Sequence, residues 1–255
     1  MDQVSAEDNL SPLQEQLIIP LFVLDSLLMP GDSMMMRVFE PRYKQMLDDI
    51  VMETLPYGHV VENSSAPQIK GWAIPFDVGT LVEVDDLQEN GSNLLYSATG
   101  RNRFRIISII KPELENSDFE SIFPSVYDLE KKYSENAPNG KLYLRAIIEI
   151  MPELKGVVND NKWNNLISLW ETYIMQIAEI TGVNENNSRL ATELRETFKQ
   201  QNEENAWRLA SMVIDTIEDQ VTCLKSENIK EVVDIIESSI QQKMNMIKFF
   251  RESNE

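Results

Sequence analysis

The side chains best equipped for chemistry in this 255-residue sequence are few. Arg101, Arg103 and Arg105 recur at every second position. On a strand, that spacing puts three guanidiniums on one face, where they could bind a phosphate or carboxylate. The competing reading pairs them across strands with Glu83, Asp85 and Asp86. Acid outnumbers base locally, so pairing is the stronger expectation. His59 is the single histidine and Cys223 the single cysteine. Nothing around His59 resembles a nucleophile partner, which argues against a Ser-His-Asp triad. No Cys-x-x-Cys pair and no His-rich metal site exists. His59, following Gly58 in a strand-like segment, reads as a structural or surface histidine. Cys223, beside Val221 and Leu224, reads as a small buried apolar group.

Adjacent carboxylates occur at Asp48-Asp49, Asp85-Asp86 and Glu203-Glu204. They could form an acid–base pair, but solvated turn and helix-surface charge is the expected state. A phosphate-cradling Gly-x-x-x-x-Gly-Lys-Ser/Thr loop is absent. Leu142 follows the one Gly140-Lys141 pair, and Glu135 occupies the first glycine position. The nine glycines form no Gly-x-Gly-x-x-Gly either. The expectation is a non-catalytic chain with no cofactor and no metal.

The chain carries 23 Lys and Arg against 42 Asp and Glu, a net charge of −19. Residues 1–130 hold −14 of it and residues 131–255 hold −5. Such a field repels phosphate backbones and anionic membrane surfaces, so neither nucleic acid nor membrane is an expected partner. No apolar run approaches the roughly 20 residues of a membrane span. The first residues lack a basic region followed by an apolar one, so a cytoplasmic protein is expected. With 42% apolar residues, a chain of this length can bury a core without a disulfide.

The elements that must position these residues divide into two kinds. Most glycines and prolines fall before residue 130 and punctuate short apolar runs. Strands are predicted at 17–24, 34–39, 57–62, 71–76, 79–84 and 104–110, with a hairpin turn at Asn90-Gly91. Pro41 suits the first position of a helix whose apolar face is Tyr43, Met46, Leu47, Ile50 and Val51. Glu40, just before it, is placed to meet the helix dipole. Of Met34, Met35 and Met36, one or two must point into a core. From about residue 139 the period becomes helical. A short apolar helix is predicted around Leu142, Ile147 and Ile150. Longer ones follow around Trp163 to Ile177, Leu190 to Phe198, Trp207 to Leu224, and Ile229 to Ile247. The second half thus reads as an antiparallel bundle of about five helices.

Several motifs stand in register. They are Ile19-Pro20-Leu21-Phe22-Val23-Leu24, Met29-Pro30-Gly31 and Met36-Arg37-Val38-Phe39-Glu40-Pro41-Arg42-Tyr43. Tyr57-Gly58, Val78-Gly79-Thr80 and Gly100-x-x-Arg103-Phe104-Arg105-Ile106 follow in order. The set resembles the N-terminal substrate-binding domain of Lon-type ATP-dependent proteases over residues 16–130, and more weakly to the end. Val23 stands where that family usually has proline, and Met29 where it has phenylalanine. The ATPase and Ser-Lys protease segments of the family are missing, which suggests a free-standing member.

The resemblance implies an α+β chain: a PUA-like β pseudo-barrel followed by a C-terminal α-helical bundle. The expected division is a flexible acidic tail at 1–15, the β-rich domain at 16–130 and the helices at 139–255. It also implies a non-catalytic module that recognises polypeptide segments, an adaptor or regulator in proteolysis or protein quality control. Its partners would be such segments or a protein, an ATP-dependent protease among them; no oligomeric state is indicated. Apolar contact and strand addition at an open barrel edge would supply the binding. PUA-like barrels also bind RNA or nucleotides, a reading the local charge opposes. The matching positions are Pro30, Gly31, Phe39, Glu40, Pro41, Arg42, Tyr43, Gly79, Thr80, Gly100, Arg103, Phe104 and Arg105. Most read as fold-keeping: turns at the glycines, a helix start at Pro41, core at Phe104.

Overall fold

The computed structural model describes residues 16–113, 140–182 and 187–252. The expected tail at 1–15 lies outside them, as do residues 114–139, 183–186 and 253–255. The chain runs β1 (Leu17–Leu24), β2 (Ser33–Val38), α1 (Pro41–Glu53), β3 (Tyr57–Val61), β4 (Val78–Asn90), β5 (Asn93–Ile110) and β6 (Arg145–Ile150). Helices α2 (Asp160–Thr181), α3 (Asn187–Thr197), α4 (Glu203–Val213), α5 (Ile217–Lys225) and α6 (Ile229–Glu252) follow.

The sheet closes on itself. Its order is β2-β5-β4-β3-β1-β6, and β5 also pairs with β6, so β5, β4, β3, β1 and β6 form a ring. All of these pairings are antiparallel except β1 with β3. The 18-residue β5 makes this possible. Its first part, Leu94–Thr99, pairs with β2, and its last part, Phe104–Ile110, pairs with β6. The β4–β5 hairpin turns through Gly91 and Ser92 between the paired Asn90 and Asn93, with Gly91 at φ +60°.

Three sequence expectations fail here, each for a physical reason. The segment around Leu142 to Ile150 is not a helix, because its second half is strand β6, which closes the ring between β1 and β5. Residues Arg145 to Ile148 alternate between half-buried and buried, and the Ile147-Ile148 pair suits a strand. Residues 71–76 form no continuous strand, only isolated bridges such as Glu62 with Pro75. Pro75 has no N–H to offer a ladder. The apolar spacing from Trp207 to Leu224 spans two helices rather than one. The chain breaks at Ile214, and the Thr216 side chain accepts a hydrogen bond from the Asp219 N–H at 3.2 Å to start α5. Thr-x-x-Asp there is the capping signal that the apolar spacing obscured.

Within α1 the buried face is Tyr43, Met46, Leu47 and Ile50, while Val51 is exposed. The Glu40 carboxylate does not cap that helix; it accepts from Arg42 Nε at 2.8 Å instead. In the bundle, Asn159 and Asn202 cap α2 and α4 through their side-chain oxygens, and Gly182 ends α2 in the left-handed region.

Phe104 is the centre of the barrel interior, with Ile19, Leu21, Val60, Leu81 and Ile148 around it. Its ring fits because two strands are bare where it lies. A Cβ on Gly58 or Gly79 would stand 2.7 Å from Phe104 Cζ. A Cβ on Gly100 would stand 2.4 Å from the Met29 carbonyl oxygen. Gly79 and Gly100 therefore serve close approach, not turns; among the matched glycines only Gly31, at φ +79°, sits in a turn. Overpacking of this kind costs about 1–3 kcal/mol. Gly79→Ala is thus expected to lower the unfolding free energy by that amount, seen as a lower urea midpoint at an unchanged denaturant slope.

Candidate functional site

Strand register brings together residues the sequence keeps apart. His59 lies opposite Thr80, and Thr80 opposite Arg103, so the three form one row across β3, β4 and β5. Their sequence neighbours Val60, Leu81 and Phe104 line the barrel interior. Strand alternation therefore points the row outward. Outward polar residues would ordinarily meet water. Here His59 and Thr80 are fully buried and Arg103 is 4% exposed.

The β1–β2 connection covers one end of the row. His59 Nε2 donates to the Ser26 carbonyl at 2.9 Å. His59 Nδ1 and Thr80 Oγ1 have no hydrogen-bond partner among the described residues. The row separates two apolar clusters on the outside of the barrel. Tyr57, Val82 and Tyr96 pack under α1 on one side, and Val78 joins the bundle core on the other. Leu28 and Met29, consecutive in the covering loop, go to opposite sides of this divide.

Arg103 joins barrel to bundle. Its Nη1 donates to the carbonyls of Leu224 (2.8 Å) and Ser226 (2.7 Å), and Nη2 donates to Pro152 (2.6 Å). Two of these carbonyls belong to the C-terminal end of α5, the negative pole of that helix. The guanidinium also lies 5.1 Å from the centre of the Trp207 ring. Burial lowers its pKa, and the Glu203 charge nearby opposes that shift.

The three arginines do not form one face. Between Thr80 and Val82 the register steps, and β5 supplies one residue more than β4. That bulge puts Arg101 and Asn102 both in solvent and separates Arg101 from Arg103. Arg101 pairs with Glu83, Nη2 to Oε2 at 2.7 Å, as the acid-pairing expectation had it. Arg103 pairs with no acid on the neighbouring strand, and Arg105 lies exposed beside a small recess of about 140 Å³.

Beside the joint, between the β1–β2 loop, the β5 bulge, the β6–α2 link and the start of α4, runs a cleft of about 390 Å³. Pro30, Met151, Pro152 and Trp207 contribute apolar surface to it. Glu203 ties its far wall together: Oε1 accepts from Trp207 Nε1 and Oε2 from the Leu154 N–H, each at 2.9 Å. Glu203 is therefore a bridging group, not a solvated helix-end charge. The i, i+4 spacing of Glu203 and Trp207 was the sequence signal for it. Glu153 and Glu204 also line the cleft, are exposed, and make neither an ion pair nor a hydrogen bond among the described residues.

The matched residues fall into separate groups. Pro30, Gly31 and Arg103 line the cleft, and Gly100 supports it, its carbonyl accepting from the Gly31 N–H at 2.9 Å. Gly79 and Phe104 are inside the barrel, and Thr80 is in the buried row. Phe39, Glu40, Pro41, Arg42 and Tyr43 lie at the start of α1. There the Arg42 guanidinium stands 4.2 Å from the Tyr43 ring centre and 4.3 Å from that of Trp72. Tyr43 donates to the Val23 carbonyl at 3.1 Å, and burial pushes its phenol up to about 12. Asp49 is not a solvated charge either: it accepts from Tyr143 Oη at 2.6 Å and meets Lys141 Nζ at 2.9 Å. Met36 is buried while Met35 stands in solvent. Cys223 is buried, its thiol pushed up to about 12 chiefly by that burial. Among the described residues no group of three or more His, Cys, Asp or Glu could hold a metal ion.

The model of one family, the ATP-dependent protease La (LON) substrate-binding domain, matches residues 18–243. The fold is similar to the crystal structure of a Lon N-terminal domain protein from Xanthomonas campestris. That match has a TM-score of 0.56 and 17% identity, over 86% of this chain and 97% of that one. It is also similar to the N-terminal domain of Mycobacterium avium complex Lon protease, with TM-score 0.56 and 10% identity over 88% and 98% of the two chains. At these identities the likeness is one of fold. Comparison with curated proteins finds no match.

Two measurements check the joint. Arg103→Met leaves three main-chain carbonyls without their donor and is expected to cost about 3 kcal/mol in urea unfolding. Arg103→Lys should recover less than half of that, because one ammonium cannot reproduce a planar fork that reaches two segments. Burial lowers the His59 pKa to about 4, with the Ser26 carbonyl opposing the shift. In the unfolded chain it titrates near 6.5. Above pH ~6.5 both states are neutral and the stability is complete. As pH falls toward ~4 only the unfolded chain gains the proton, and about 3 kcal/mol is lost. With a single histidine, its imidazole NMR signals are unambiguous. The expected titration midpoint is near 4; one near 6.5 would refute the burial argument.

Proposed function

Because the chain belongs to the family of ATP-dependent protease La (LON) substrate-binding domains, we propose that it is a non-catalytic module that holds segments of other polypeptides. The observation that carries this reading is the family match across residues 18–243. His59 is buried with Nε2 on a carbonyl, and Cys223 is a buried thiol far from ionisation at neutral pH. Glu203, the most central carboxylate of the cleft, is held by two N–H donors. Buried or bonded in this way, these three groups are not placed to attack, protonate or deprotonate a substrate. Holding a segment needs only an accessible concave surface between two firmly joined units, which the barrel and bundle provide. In this reading the protein acts as an adaptor in proteolysis or quality control, delivering segments to a separate ATP-dependent protease.

The runner-up, binding of RNA or a nucleotide, would need free cations on one face. Arg101 is paired with Glu83, Arg103 is spent on carbonyls, and the charge of residues 1–130 is −14. The test is fluorescence anisotropy with a labelled variant that cannot fold, its natively folded parent protein and a single-stranded RNA at low salt. Binding is expected for the unfolded protein alone, with no cleavage of it, and a Lon protease core should co-purify with the chain. Failure to bind any unfolded polypeptide would overturn the proposal. RNA affinity that falls with added salt would favour the runner-up.

A further inference from the structure

We infer that the cleft between barrel and bundle holds an extended segment carrying a basic side chain among apolar ones, with the cation set against Glu153 and Glu204. This rests on the polypeptide-holding role and adds the place and the class of segment. The volume of about 390 Å³ falls within the roughly 300–1,000 Å³ of ligand clefts, and its position at a junction of two units is where such clefts occur.

Charge complementarity selects the occupant. Five charged side chains line the cleft: Arg101, Arg103, Glu153, Glu203 and Glu204. Three are already satisfied. Arg101 has Glu83, Arg103 has three carbonyls, and Glu203 has two N–H donors. The two that remain, Glu153 and Glu204, are both negative and come from different elements, one on the β6–α2 link and one in the first turn of α4. Met151, Pro152 and the tryptophan held by Glu203 line the same cleft. An acidic segment would meet two unmatched carboxylates and a strongly negative chain. A wholly apolar one would leave both carboxylates partly desolvated without a partner. A lysine or arginine flanked by apolar residues fits both requirements, its methylenes on the apolar surface and its head between the carboxylates.

The experiment uses the whole chain and three labelled peptides of one apolar sequence, differing only in a central Arg, Gln or Glu. The Arg peptide is expected to bind best, with the preference shrinking as ionic strength rises. The double variant Glu153→Gln/Glu204→Gln should weaken the Arg peptide by about threefold to tenfold and leave the Gln peptide little changed. Both positions are exposed, so the fold should survive, as circular dichroism will show. Asp85→Asn/Asp86→Asn removes the same charge outside the cleft and should leave the Arg peptide unaffected. Equal weakening by both double variants would reduce the effect to the general field and overturn the proposal. So would unchanged binding of the Arg peptide by the cleft variant, even while unfolded proteins still bind; that outcome spares the broader role. If no unfolded polypeptide binds at all, both readings fall.

Discussion

A single buried cation determines how the two halves of this molecule meet. Arg103 leaves the barrel wall and ends among the carbonyls of Pro152, Leu224 and Ser226. A charge so placed is tolerable only when acceptors stand around it. The guanidinium can do this across two chain segments because its N–H groups are fixed in a plane. The consequence is geometric. Pro152 is tied to the end of α5, and two residues later the Leu154 N–H is tied to Glu203 at the start of α4. The β6–α2 link is thus held at both points, and the cleft has a fixed wall rather than a loose strap.

The β5 bulge is the companion constraint. Without the extra residue between Gly100 and Arg103, Arg101 would share Arg103's face and be driven toward the bundle with it. With it, one arginine turns to solvent and Glu83 while the next enters the joint. The same stretch is bound on its other side by Gly31 and Gly100, where close approach to the Met29 carbonyl leaves no room for a side chain. Bulge, glycines and arginine act as one device that seats the β1–β2 loop over the polar row and shapes the rim of the cleft.

The row itself shows how the one histidine is withheld from solvent. His59 and Thr80 face outward, yet loop and bundle close over them. Burial keeps the imidazole neutral, just as burial beside α5's end keeps Cys223 a thiol. In the cleft, two accessible carboxylates, Glu153 and Glu204, have no side-chain partner among the described residues. The surface is suited to holding a segment by shape and charge.

Much of this was legible along the chain. The strand pattern before residue 130, the helix begun by Pro41, the helical periods after 160, the core position of Phe104 and the family resemblance all follow from local spacing and residue type. Those signals depend on neighbours a few positions away, so the sequence carries them in full. Strand β6 was read as helix because its apolar residues satisfy both periods, and only the need to close the ring between β1 and β5 decides between them. The arginine row was read as one face because a bulge is a property of two strands in register, not of either alone. Glu203 and Asp49 read as solvated along the chain because Leu154 and Tyr143, which bond them, are about 50 and 94 residues away, and only the spacing to Trp207 hints at the role of Glu203. Local physics determined most of the elements and inward faces; strand β6 and the partners of buried polar groups were decided only by tertiary structure, since pairing and desolvation are set by what lies against a residue.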